Sequence, residues 1–487
     1  MKQNSMASLA ALALIAALAV PVQLDAQEHN AKQPHYIVED MGTFGGPQSF
    51  FFSAPVVDSV NNRGTVVGGA DTDLPDPYAP NCFSPDCYIL HAFKWKNGVL
   101  TDLGTLPGGY SSTAYWVNEK GLIMGGSENG FIDPITGLPE QVAVLWKNDG
   151  EIVNLGTLGG SFSFANAMNN RGHVIGLALN TVPDPYSFLG LGTETHGFVW
   201  RNGYMEDLGT LGGPDSWGAA INERNQVVGW SYTNSTPNPV TGIPTQDPFL
   251  WQDGRMQDLG TLGGTLGYVG SKADPGNGGA INNRGQVVGT SNLAGDLTHH
   301  PFLWNEGSLT DLGTLGGDNG EAYRINDAGE IVGRADVPGP NHYHHGFLWT
   351  NGVMTDLGVP NGWPCSTAID INRRGQIILN TGICGVGGGP GSLWQDGVLY
   401  DLNTLIPPDS GFVIGDVNFI NDRGEIAVPG IFPNGDEHAL LLIPAGRNDD
   451  NENSGAAATA VVPARVAPLH RVASRYGRFG RSTSAPE

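Results

Sequence analysis

Apolar residues along this chain fall in short alternating runs, not at helical spacing. GQVVG (285–289) is β-branched, HPFLW (300–304) is apolar and aromatic, and GVMTDLG (352–358) carries its apolar side chains at every second place. Alternation with a period of two marks half-buried strands. Asn97-Gly98, Asn202-Gly203 and Asp253-Gly254 separate the last two kinds of run. Such pairs adopt the positive φ of a tight hairpin turn. A second turn is expected where NNRG or NERN separates a strand ending in Ile-Asn from the Val-rich strand. Beyond the N-terminus no segment holds a helical period.

The runs recur in fixed order. DLGTLGG or a decayed form begins at Asp40, Asp102, Asn154, Asp207, Asp258, Asp311, Asp356 and Asp401. An apolar residue and an asparagine follow, the asparagines being Asn61, Asn118, Asn169, Asn222, Asn282, Asn326, Asn372 and Asn421. Third comes HAFLW, as HAFKW at 91, VAVLW at 142, HGFVW at 196, DPFLW at 247, HPFLW at 300 and HGFLW at 345, with GSLW in unit seven and HALLL at 438. The tryptophans lie 51, 54, 51, 53, 45 and 45 residues apart, so insertions vary while the unit persists.

Each unit of about 50 residues holds four strands, which is what a propeller blade requires, because one small sheet with two apolar faces must stack on neighbours. A β-helix needs shorter and more regular coils. The expected fold is all-β, an eight-bladed β-propeller. The repeat region opens on a DLGTL strand and ends on a HAFLW strand, and these two are hairpin neighbours inside every internal unit. Pairing the first strand with the last would complete the eighth blade and remove two exposed edges.

These three signatures resemble the HAF-repeat proteins of bacteria, named for His-Ala-Phe, over residues 36–443. The resemblance implies an extracellular location and supplies no activity. Unit two lacks the histidine, and units seven and eight depart furthest, so no role of the histidine or tryptophan requires all eight copies.

The ends differ from the repeats. Lys2, an apolar run from Met6 to Val20 and Ala26 read as a signal peptide over 1–26. The run is shorter than the roughly 20 residues of a membrane-spanning helix. Residues 27–35 are a linker, 36–444 the propeller, and 445–487, rich in Ala, Arg, Ser and Pro, a disordered tail. The four cysteines suit an oxidising compartment, with local pairs Cys82 with Cys87 and Cys365 with Cys384. Their spacings match no common zinc pattern. A net charge of -24 disfavours nucleic acid and anionic lipid as partners. It also attracts cations; no cofactor is expected, with calcium as the alternative.

The repeated aspartate of DLG invites a calcium or acid-base role, but recurrence in every unit points to turn contacts. The asparagine of Ile-Asn suits an Asx-turn, and the HAF histidines, one per unit, suit a structural role. His299 with His300, and His342 with His344 and His345, are local groups that neutral imidazole chemistry would allow to hold a transition metal. No catalytic motif is present.

Long insertions in units one to four (69–90, 127–141, 178–195 and 231–247) interrupt the same turn and should project from one face, where recognition loops gather. Units one and three share DPY, and units two and four share PxTGxP. Asp76, Tyr78, Asp184 and Tyr186 are therefore the candidate ligand-binding residues, set beside the alternative that both motifs are simply good turns. The expected function is a monomeric, secreted or cell-envelope binding or scaffold protein whose ligand is a glycan or a protein. The alternative is an extracellular polysaccharide hydrolase or lyase with a channel site.

Overall fold

The computed structural model describes residues 33–52, 58–185, 187–270, 280–360 and 362–446. The signal-peptide segment, Tyr186 and all but the first two residues of the tail lie outside them. The described chain is all-β, apart from one turn of 3-10 helix at Leu402–Thr404, and it is built from antiparallel four-stranded units.

Unit two shows the plan, with strands Ser112–Val117, Ile123–Ile132, Pro139–Trp146 and Ile152–Asn154 paired in sequence order. The asparagine signature ends the first strand, the Val-rich run is the second, HAFLW the third and DLG the fourth. Seven hydrogen-bonded sheets hold the eight units, because units four and five touch through one parallel contact, Gln246 with Leu266. In unit eight, Tyr36–Asp40 pairs antiparallel with Glu437–Pro444, in a register that sets Tyr36 opposite Pro444 and Asp40 opposite Leu440.

Local chemistry explains the plan. Asn97 has φ 51° and Gly98 φ 78°, the double positive turn that matches strand twist in a hairpin. The third-strand phenylalanines Phe93, Phe198, Phe249, Phe302 and Phe347 are fully buried, each stabilising the fold by about 2–3 kcal/mol. Gly229, in the Val-rich strand beside Phe249, has no space for a β-carbon, which would collide with the Trp217 carbonyl and the Phe249 ring.

Units are bound to one another by the signature asparagines. Within its unit, the Asn118 side-chain carbonyl accepts from the N–H groups of Lys120 and Leu122, both at 3.0 Å. Its amide donates to the Asn169 carbonyl of the next unit at 3.1 Å. The same donation runs from Asn61 to Asn118, Asn169 to Asn222, Asn222 to Asn282, Asn282 to Asn326, Asn326 to Asn372 and Asn372 to Asn421. Asn421 then donates to Asn61, 360 residues away, at 3.1 Å. The next residue makes a parallel relay in which a side chain accepts from the preceding unit's backbone N–H, as Glu119 does from Asn62 and Asn62 from Asp422. At the corresponding place unit seven carries Arg373, whose side chain has no acceptor.

Two disulfides, Cys82–Cys87 and Cys365–Cys384, join the expected local partners. No helix among the described residues is long and apolar enough to cross a membrane.

Candidate binding site

The signature side chains are engaged within the scaffold. In five places a HAF histidine Nδ1 meets a DLG aspartate: His91 with Asp102, His196 with Asp207, His300 with Asp311, His345 with Asp356 and His438 with Asp40, at 2.8–2.9 Å. The same aspartates accept the N–H of the glycine two residues on, as Asp102 does from Gly104 at 2.7 Å. Burial alone would raise the pKa of Asp207, but the His196 bond and the Gly209 N–H together bring it below the ordinary carboxylate range. Burial opposes charge on His196 as well, and the Asp207 bond outweighs it, so its pKa is raised. Unit two has Val142 and Asn154 at the two places and so loses both partners together.

The asparagine relay holds all the turns between first and second strands on one side of the units. In antiparallel sheets the turns between second and third strands then lie on the opposite side, and these carry the insertions. Asp76, at the base of the first insertion, is buried, and its two carboxylate oxygens accept from the N–H groups of Tyr78 and Phe83, each at 2.8 Å. Asp133 and Asn238 make the same Asx contact, to Ile135 and Val240. Asp184 is likewise buried. The Asp-Pro and Asn-Pro motifs thus organise their own loops. Tyr78 stands edge-on to Tyr110 of the next unit with ring centroids 6.1 Å apart. The fourth candidate, Tyr186, lies outside the described residues.

Sequence reading missed the apolar character of this face. Sixteen large hydrophobic residues are exposed among those described. Eleven lie on the insertion side, including Leu74, Tyr110, Phe131, Ile132, Ile135, Val182 and Val240 around units one to four. Exposed apolar side chains gathered on one side are the kind of surface that interaction sites use.

The same side holds a polar cleft of about 210 Å³ between units five and six, lined by His299, Asn319, Glu321, Arg334, Asp336, His342 and His344. Glu321 and Arg334 face each other across the first two strands, where unit four has Trp217 and Trp230. The buried Glu321 carboxylate accepts from Arg334 at 2.9 Å and from the Tyr323 hydroxyl at 3.1 Å, with His299 Nε2 at 3.5 Å. Burial and Arg334 push His344 down to about 4, leaving a neutral imidazole at pH 7. Alternation along the strands splits the histidine groups, so His299 and His344 line the cleft while His300 and His345 turn to their aspartates. The group with metal-ligand geometry among the described residues is His344 with Cys365 and Cys384, and these sulfurs are bonded to each other.

Among the described residues, side chains on and beside the first strands meet across several units. Arg324 of unit six reaches Asp58 of unit one and Asp370 of unit seven, both at 2.9 Å, and lies over the Phe419 ring of unit eight. Phe52 of unit one packs on Tyr115 of unit two and Phe164 of unit three, with centroids 4.5 and 5.6 Å away. A channel site assembled from several units would need this space.

No family model and no curated protein matches the sequence. Among solved structures, the chain is similar to the β-propeller domain of the Trilobed protease from Pyrococcus furiosus, at 9% identity and TM-score 0.30, covering 60% of this chain and 95% of that one. It is similar to Porphyromonas gingivalis dipeptidyl peptidase 4, at 9% identity and TM-score 0.44, covering 85% of this chain and 60% of that one. The Trypanosoma rangeli sialidase in complex with the inhibitor DANA gives 10% identity and TM-score 0.31, covering 84% of this chain and 59% of that one. The chain thus spans about three fifths of the peptidase and of the sialidase. Likeness at this distance transfers neither an activity nor a site.

Proposed function

We propose that the eight units close into an eight-bladed propeller of the HAF-repeat type, and that it acts as a secreted or cell-envelope binding protein through its insertion face. The return of the asparagine relay from Asn421 to Asn61 supports closure, as does the pairing of Tyr36–Asp40 with Glu437–Pro444. The two disulfides fit an oxidising environment outside the cytoplasm.

The observation that carries the binding reading is the gathering of exposed apolar side chains on the insertion face, while the repeated polar residues are engaged inside the scaffold. Asp76 and Asp184 are buried, so the aromatic-plus-carboxylate pairing that suits sugar hydroxyls is reduced to its aromatic half. This favours a protein partner over a glycan. Occupation of the inward space by Arg324 and its two carboxylates weighs against hydrolysis in a channel.

The test is binding of the purified mature protein to polysaccharide arrays and to isolated extracellular proteins, compared with a Tyr110→Ala, Phe131→Ala, Ile135→Ala variant of unchanged thermal stability. The reading requires the variant to lose at least tenfold in affinity. Unchanged binding, or turnover of a polysaccharide by the purified chain, overturns it.

A further inference from the structure

On the side opposite the insertions, a gap of about 170 Å³ lies between units one and two, lined by Asn61, Arg63, Thr65, Lys94, Lys96, Lys120, Gly121 and Asn148. Four cations and no carboxylate line it, in a chain with 24 basic and 48 acidic residues. Chance placement in so acidic a protein would surround the gap with acids instead.

Two departures from the repeat create it. The residue before the HAFLW tryptophan is apolar and faces the neighbouring unit in seven units, as Leu145, Val199 and Leu250 do, but in unit one it is Lys94. Four residues after the relay asparagine, units four, five and seven carry Gln226, Gln286 and Gln376, and units six and eight carry Glu330 and Glu425. These side chains accept from the relay amide at 2.6–2.8 Å, while units two and three carry Leu122 and His173 there. Unit one has Thr65, which is too short to accept from that amide.

Unit eight shows what belongs there. Its Glu425 carboxylate pairs with Arg423 at 2.6 Å, and Arg63 is the counterpart of Arg423 in unit one. Unit one keeps the arginine, adds Lys94 and Lys96, faces Lys120 of unit two, and lacks the carboxylate.

We propose that this gap binds one oxyanion group, a phosphate, a sulfate or a carboxylate, which takes the place that Glu425 fills in unit eight. The volume equals roughly six waters at ~30 Å³ each, enough for a single such group and too little for a polymer segment. Converging Lys and Arg donors form charge-assisted bonds to such a ligand. The site is independent of the insertion face and stands or falls separately from it.

The test is titration of the mature protein with sodium sulfate and sodium phosphate against sodium chloride at matched ionic strength, read by calorimetry and thermal melting. Lys94→Leu installs the residue type of the other units and preserves folding; Lys94→Leu with Lys120→Ala removes two of the four cations. Arg284→Ala, in an equivalent turn of unit five, is the control. Saturable binding of sulfate or phosphate is expected, with at least tenfold loss in Lys94→Leu, abolition in the double variant and no change in Arg284→Ala. A sulfated oligosaccharide that binds tenfold more tightly than inorganic sulfate, and fails to bind the double variant, identifies a glycan as the source of the anion; equal affinity identifies the free ion. The same response in wild type and double variant, or the same response to chloride, overturns the proposal.

Discussion

His438 and Asp40 stand 398 residues apart in the chain, yet their side chains meet at 2.9 Å in the geometry that His91 and Asp102 reach across one hairpin. The first described strand therefore occupies, in unit eight, the place that a DLG strand fills in its own unit elsewhere.

The pair sets a pH window. For Asp40, burial raises the pKa, and the His438 bond and Gly42 N–H more than reverse it. For His438, the Asp40 bond raises the pKa against the cost of burial. A lowered carboxylate contributes above its unfolded value and loses that contribution as pH falls through its folded one. A raised imidazole contributes below its unfolded value and loses that as pH rises through its folded one. Coupling should be full between about pH 4 and 6.5 and should be lost as pH rises through the raised value of His438. Because Asp40 is 43% exposed, a double-mutant cycle of Asp40→Asn and His438→Gln by urea denaturation should give less than about 1 kcal/mol.

Unit four breaks this pairing in an instructive way. Burial and the facing Asp258 carboxylate push Asp247 up to about 7. A raised carboxyl erodes stability as pH rises through that value. Asp247→His removes this repulsion and should raise the melting temperature at pH 8 by several degrees, with a smaller gain at pH 5, where Asp247 is largely protonated and only the restored His-Asp pair adds.

Much of this scaffold was legible in the sequence. Four strands per unit, their turns, both disulfides and the pairing of the first and last strands followed from alternation, Asn-Gly pairs and the signature order. The asparagine was read as an Asx-turn, which its side-chain oxygen makes; its donation to a residue 44–60 places away was invisible, because the acceptor is a backbone carbonyl and carries no sequence mark. The His-Asp pairing has a readable signal in the joint change to Val142 and Asn154, which shows only when the first and third signatures are set side by side unit by unit. Lys94 stands openly in HAFKW, but its consequence depends on Thr65 and Lys120 meeting it in space. Asp76 and Asp184 stand in motifs that read either as a turn or as recognition; Asp76 bonds its own loop and both carboxylates are buried.

Each relay asparagine satisfies three backbone groups. Asn222→Ala leaves the N–H groups of Arg224 and Gln226 and the Asn282 carbonyl without their partner, and should cost at least about 2 kcal/mol. Asn222→Asp keeps the two acceptor contacts and loses only the donation, so in urea melts it should fall between wild type and Asn222→Ala near pH 4.

Arg324 neutralises the buried Asp370 and the partly exposed Asp58, and burial already raises the pKa of Asp370 to about 6 despite the arginine beside it. Arg324→Ala should cost about 3–5 kcal/mol. Adding Asp58→Asn and Asp370→Asn should return more than half of that loss in the same denaturation assay, since the penalty comes from stranded charge.

Native-state hydrogen exchange distinguishes a closed ring from an open one. The amides of 37–40 and 440–443 should exchange as slowly as those of an internal third-to-fourth-strand hairpin such as 93–102, and should open only with global unfolding. Exchange of 37–40 within seconds, as for a frayed end, while internal hairpins stay protected would contradict a closed ring.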